Sequence, residues 1–131
     1  MLPDNGTFGP LGNTNRALGW ACEEIDDYDR LCILQDDFVM CRDALSAIAS
    51  APTADALALF TPANNVPHEI RDRSGWVPLV PSRDTWGGAL LMPVWLARMV
   101  INHPNWRRHM VTRAERRGAD AALFETLGML D

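Results

Sequence analysis

The stretch Leu31-Cys32-Ile33-Leu34-Gln35-Asp36-Asp37 decides how this chain of 131 residues reads. A short, unbroken apolar run predicts a strand buried on both faces. The run stops at Gln35, and two adjacent carboxylates follow. In open α/β sheets, ligands sit just beyond the carboxyl ends of the strands. Adjacent strand residues point to opposite sides, but in the turn past the strand both carboxylates can reach one cation. Hard cations such as magnesium or manganese take oxygen ligands and share them with phosphates. The other reading makes Asp36 and Asp37 turn and helix-capping residues.

Upstream, residues 1–13 are rich in Pro, Gly and Asn and read as a loop. Asn13 or Thr14 can cap a helix to about Ile25, with Ala17, Leu18, Ala21 and Cys22 on one face. Asp26, Asp27 and Asp29 form an acidic turn. Downstream, a helix opens near Asp43 and runs to Ser50, where Pro52 breaks it. Ala56 to Phe60 reads as a second buried strand, and residues 61–75 as a loop. Trp76 to Val80 fits a short edge strand, and Gly87 to Met92 a third apolar strand. Pro93 suits the first turn of a helix to Asn102. A polar helix over Trp106 to Arg117 and a last helix over Ala119 to Leu127 complete the chain. Strands alternating with helices predict one α/β domain, Rossmann-like, with a mainly parallel sheet.

Composition narrows the function. Hydrophobic residues make up 47% and charged residues 22%, as in ordinary globular proteins. The net charge of -5 argues against nucleic acid as a partner. Residues 1–60 hold 10 acids and 3 Arg, residues 61–131 hold 7 acids and 9 Arg. Every cation is Arg, so Schiff-base and phosphate-loop chemistry, which need Lys, are excluded. The same lack excludes a response-regulator receiver domain. Neither Gly-x-Ser-x-Gly nor His-Glu-x-x-His occurs. The apolar run Gly88 to Ala97 is too short to span a bilayer and contains Pro93. The N-terminus lacks the pattern of a signal peptide. Three cysteines at spacings matching no zinc or redox signature fit a reducing, cytoplasmic compartment.

The segment from Tyr28 to Leu45, centred on Leu34-Gln35-Asp36-Asp37, resembles the core of GT-A glycosyltransferases, where a hydrophobic strand leads into a DXD-type motif. Gly12-Asn13-Thr14-Asn15-Arg16-Ala17-Leu18 is similar to the Gly/Asn-rich turn and helix before that strand. Trp86-Gly87-Gly88-Ala89-Leu90-Leu91-Met92-Pro93 is similar to the Gly-rich strand beside the acceptor cleft. The resemblance covers about residues 10–127 and consists of several weak motifs in the right order. It implies a single GT-A-like domain over 1–131: a loop (1–12), a helix-strand-Asp-Asp-helix-strand unit (13–60) and an acceptor-side half (61–131). Such domains begin with a base-binding strand. Only about ten residues precede the Gly/Asn turn here, so a shortened or N-terminally incomplete form is expected.

By that resemblance the chain is a hexosyltransferase-class enzyme moving a sugar from a nucleotide-sugar donor to an acceptor hydroxyl. The acceptor is a carbohydrate, a protein or another hydroxyl compound. Asp36 and Asp37 would bind Mn2+ or Mg2+ and the donor diphosphate. Asp120 falls where a general base is expected, although one acid stands where the family often has two; a first-turn acid reads equally well. Trp86, Gly87 and Gly88 would line the acceptor side, with the glycines allowing close approach to the backbone. Trp76 and Trp95 read as core. His103 and His109 read as surface or capping residues, or as late metal ligands. The Arg107 to Arg117 run reads as a solvated face or a diphosphate clamp. The alternative function is a non-catalytic binding or assembly module of the same descent, in which an uncovered sheet edge favours a homo-oligomer.

Overall fold

A computed structural model describes residues 9–34, 40–52, 56–59, 68, 71–72, 89–112 and 118–130. The elements in chain order are α1 (Gly9–Glu24), β1 (Arg30–Leu34), α2 (Ala44–Ala49), β2 (Leu57–Ala58), β3 (Ala89–Pro93), α3 (Val94–Asn102), α4 (Pro104–Thr112) and α5 (Ala119–Leu127).

The expected mainly parallel, Rossmann-like sheet is overturned. The described residues are mostly helical, and the sheet has three strands in the order β1-β3-β2. Both ladders are antiparallel: Leu31 pairs with Met92 and Ile33 with Leu90, while Leu57 pairs with Leu91. β1 and β2 therefore run the same way, joined through α2, as the alternation of elements requires. They are not neighbours, because β3 lies between them in the opposite sense. Periodicity locates strands but carries no information on direction or neighbour, and the long connection between β2 and β3 lets the chain return either way.

Burial follows this order. Every residue of β3 is buried, as expected of a central strand. β1, expected to be buried on both faces, is only half-buried, and Leu34 is exposed. Opposed residues of an antiparallel pair share a face, so Leu31, Ile33, Leu90 and Met92 form one side of the sheet. That side packs on the helices: the core joins Leu90 and Met92 to Leu18, Cys22, Val94, Ala97, Val100, Trp106, Leu123 and Phe124. Each large side chain withdrawn fully from water contributes about 1.5–3 kcal/mol.

The helix ends are set by local chemistry. Gly9 adopts φ 63°, and Pro10 follows, so α1 starts there and not at Asn13. Thr14 Oγ1 donates to the Pro10 carbonyl at 2.9 Å. At α3 the strand passes into the helix without a loop. The N–H groups of Val94 and Trp95 donate to the carbonyls of Asp29 and Asp27 at 2.9 and 3.1 Å, so the acidic turn caps this helix with its backbone. Pro104 ends α3, since the residue before a proline is driven out of helical geometry. That residue, His103, is extended, and its Nδ1 accepts the Asn105 N–H at 3.2 Å, capping α4.

Candidate functional site

The sheet has one end where three chain crossings meet. Leu34, the last residue of β1, pairs with Ala89, the first of β3. On the other flank, the Leu59 N–H donates to the Ala89 carbonyl at 2.9 Å. The chain leaves β1 here toward Asp36 and Asp37, and enters β3 here from Trp86, Gly87 and Gly88. Those five residues themselves lie outside the described residues, as does Trp76.

At the opposite end of β1, where Arg30 pairs with Pro93, one guanidinium ties the strand to α2. Arg30 Nη1 donates to the Ala51 carbonyl at 3.1 Å, and Nη2 to the Ile48 carbonyl at 3.1 Å. Longer contacts of 3.5 Å reach the carbonyls of Pro52 and Ala49. A cation on the last carbonyls of a helix satisfies acceptors that have no partner within it and complements its dipole. No residue of α2 is fully buried; Ala44 and Ile48, four apart on one face, are half-buried, and the Arg30 bonds add a polar tie at the helix end.

Asp120 sits half-buried in the first turn of α5. Its carboxylate folds back over Gly118, where a Cβ would collide with Oδ1. The principal packing partners of α5 are α1, α3 and α4, all in the helical layer. This position meets the needs of a first-turn acid beside a helix N-terminus.

Two polar groupings went unread in the sequence. At the α4–α5 joint, the buried Asn105 donates through Nδ2 to Thr126 Oγ1 at 3.1 Å, and Arg108 Nη2 donates to Asn105 Oδ1 at 2.7 Å. The buried His109 brings Nε2 to 3.3 Å from Glu125 Oε2, without the alignment of a hydrogen bond. Arg108 Nη2 lies 3.9 Å from Glu125 Oε1. The readable signal was Asn105 and His109 four apart on one helix face. At the α1–β1 turn, Arg98 donates through Nε (3.1 Å) and Nη2 (2.9 Å) to Asp27 Oδ1, and through Nη2 to the Cys22 carbonyl at 2.6 Å. The hydrogen bond to Asp27 pushes the Arg98 guanidinium above its ordinary range. Burial pushes the Cys22 thiol up, and the nearby Arg98 charge partly offsets this. Burial alone raises Cys32.

Cys22, Cys32 and Cys41 are free thiols. Among the described residues, no three His, Cys, Asp or Glu side chains group as metal ligands, and no helix is long and apolar enough to cross a membrane. Comparison with family models, curated proteins and solved structures finds no match to this chain.

Proposed function

We propose that this chain is a small metal-assisted glycosyltransferase, moving a sugar from a nucleotide-sugar donor to an acceptor hydroxyl. The observation that carries the reading is the pairing of Leu34 with Ala89, which brings the exit toward Asp36-Asp37 and the entry from Trp86-Gly87-Gly88 to one end of the sheet. Two motifs far apart in sequence thereby leave the described sheet at one point, as a donor side and an acceptor side need.

Two carboxylates with no sulfur or imidazole between Gln35 and Val39 suit a hard cation, so Asp36 and Asp37 would hold Mn2+ or Mg2+. When bound, such a cation supplies positive charge opposite the departing diphosphate. In the transfer, the bond from the anomeric carbon to the diphosphate oxygen breaks. A bond from that carbon to the acceptor oxygen forms, and the acceptor's proton passes to a carboxylate base; Asp120, whose helix packs chiefly on α1, α3 and α4, is given that role by the family resemblance alone. Trp86 would pack its ring on the sugar, with Gly87 and Gly88 admitting the acceptor to the backbone.

A thermal-shift series with nucleotides and nucleotide sugars, with manganese or with chelator, tests this. A ligand bound only by the native state raises the melting temperature. A manganese-dependent rise that disappears in Asp36→Asn/Asp37→Asn is the expected result. Asp120→Asn should lower kcat with the donor shift intact; a change in melting temperature alone would leave Asp120 a helix-end residue. A cooperative melt with no ligand shift would favour the second reading, a non-catalytic assembly module. That reading draws on the exposed apolar side chains Leu34, Met40 and Leu45 at the β1–α2 side, and a concentration-dependent mass in solution would support it.

A further inference from the structure

His103 stands at the corner between α3 and α4 and belongs to both helices. Its backbone N–H donates to the Val100 carbonyl at 3.0 Å and closes α3. Its own carbonyl accepts the Arg107 N–H at 3.1 Å and opens α4. Pro104, the first residue of α4, has no N–H, so Asn105 carries the first N–H of the helix that needs an acceptor. His103 Nδ1 is that acceptor, at 3.2 Å. The turn it caps holds two ties of the helical layer. Asn105 Nδ2 donates to Thr126 Oγ1 on α5, and Trp106 Nε1 donates to Asn15 Oδ1 on α1.

A histidine cap differs from a Ser, Thr or Asn cap in one respect: its acceptor takes up a proton near neutral pH. An imidazolium donates from both nitrogens and accepts at neither. Protonation of His103 therefore sets donor against donor, Nδ1–H facing the Asn105 N–H. The neighbouring charges leave this conflict standing. α4 packs on α3 and α5. On α3, Arg98 is bound to Asp27. On α5, Glu125 lies against Arg108 and His109, and Asp120 folds over Gly118. On α4 itself, Arg107 donates to Asn102 Oδ1 beside the corner and adds positive charge there. α1 brings Arg16, next to Asn15. Among the described residues no carboxylate pairs with His103. The helix dipoles act oppositely on the ring, the carboxyl end of α3 favouring a cation and the amino end of α4 opposing it. The lost cap then decides the outcome.

We infer that His103 is a pH-sensitive cap: acid releases the first turn of α4 and loosens its ties to α1 and α5. The test is nuclear magnetic resonance of the full chain between about pH 7.5 and 5.5, the range in which histidine changes charge. It compares the unaltered protein with His103→Asn. At the upper pH, the ring nitrogen shifts of the unaltered chain should show the proton of His103 on Nε2, with Nδ1 bare. Exchange of the Asn105 amide with solvent, corrected for the intrinsic effect of pH, should quicken about fivefold at the lower pH, a typical cap contribution read as a rate ratio. In His103→Asn, whose side-chain oxygen caps without titrating, the corrected rate should be the same at both. A neutral His103 ring with its proton on Nδ1 overturns the cap, and that measurement needs no variant. A corrected rate that does not change in the unaltered chain, or that quickens as much in His103→Asn, overturns the pH response.

Discussion

Removing the Asn15 side chain should expose how far the helical layer depends on one hydrogen bond. Trp106 is fully buried, and its Nε1–H donates to Asn15 Oδ1 at 2.8 Å. In Asn15→Ala the indole N–H keeps its burial and loses its acceptor, which costs about 1–3 kcal/mol. Alanine is the better helix former and returns roughly 0.5 kcal/mol in α1. The net loss expected is therefore about 0.5–2.5 kcal/mol. Trp106→Phe removes the donor and part of the ring, so its cost is lost packing. Once no N–H remains, Asn15→Ala should cost little more, because Asn15 is only half-buried and its amide can reach water. The two changes should thus be non-additive, the double variant falling short of the sum by about 1–2 kcal/mol. Urea unfolding of the four proteins measures this: a loss of ~2 kcal/mol moves the midpoint by about 1 M when m is near 2 kcal/mol/M. Additive costs, or an Asn15→Ala variant as stable as the parent, would refute the reasoning.

Leu90→Ala, on the helix side of the central strand, should cost about 2–5 kcal/mol in the same assay, since Leu90 is 1% exposed and a cavity would remain between sheet and helices. Thiol labelling should proceed in the order Cys41, Cys32, Cys22, following exposed, half-buried and buried positions, with Cys22 reacting only as fast as the chain opens. Stability should also fall in alkali. Burial raises the Cys22 and Cys32 thiols above 9.0 in the folded chain, so the unfolded chain loses these protons first. Their contribution is full below about pH 8 and is lost as pH rises through 9 and beyond. Cys22→Ala should flatten that slope in unfolding free energies measured from pH 8 to 10.5.

The elements were legible where local chemistry is strong. Gly118 and Gly128 bracket α5 at the residues expected, and Pro93 leads into α3. The apolar runs located all three described strands to within two residues of their ends. What could not be read was arrangement. α1 begins four residues early because Gly9 takes a positive φ that only the fold reveals. Trp106, Asn105 and His109 are buried although their helix reads as polar: Arg107 and Arg108 fall between them, and three inward residues flanked by charges look like a solvated face. Nothing in the sequence singles out Arg30 or Arg98, because a guanidinium's use of distant backbone carbonyls leaves no mark on spacing.

The reversal of β3 bears on the candidate site more than any other departure from expectation. Had β3 run parallel to β1, as the alternation of strands and helices suggested, its Pro93 end would lie beside Leu34. The entry from Trp86-Gly87-Gly88 would then open at the far end of the sheet. At about 3.3 Å per residue, a five-residue strand would separate that entry from the exit toward Asp36-Asp37 by roughly 16 Å. In the antiparallel register Leu34 and Ala89 are opposed, and paired Cα atoms lie only about 5 Å apart. The same finding that removes the parallel sheet thus brings the two motif exits together. The antiparallel ladder, and not a crossover between parallel strands, is what sets the end of β1 beside the start of β3.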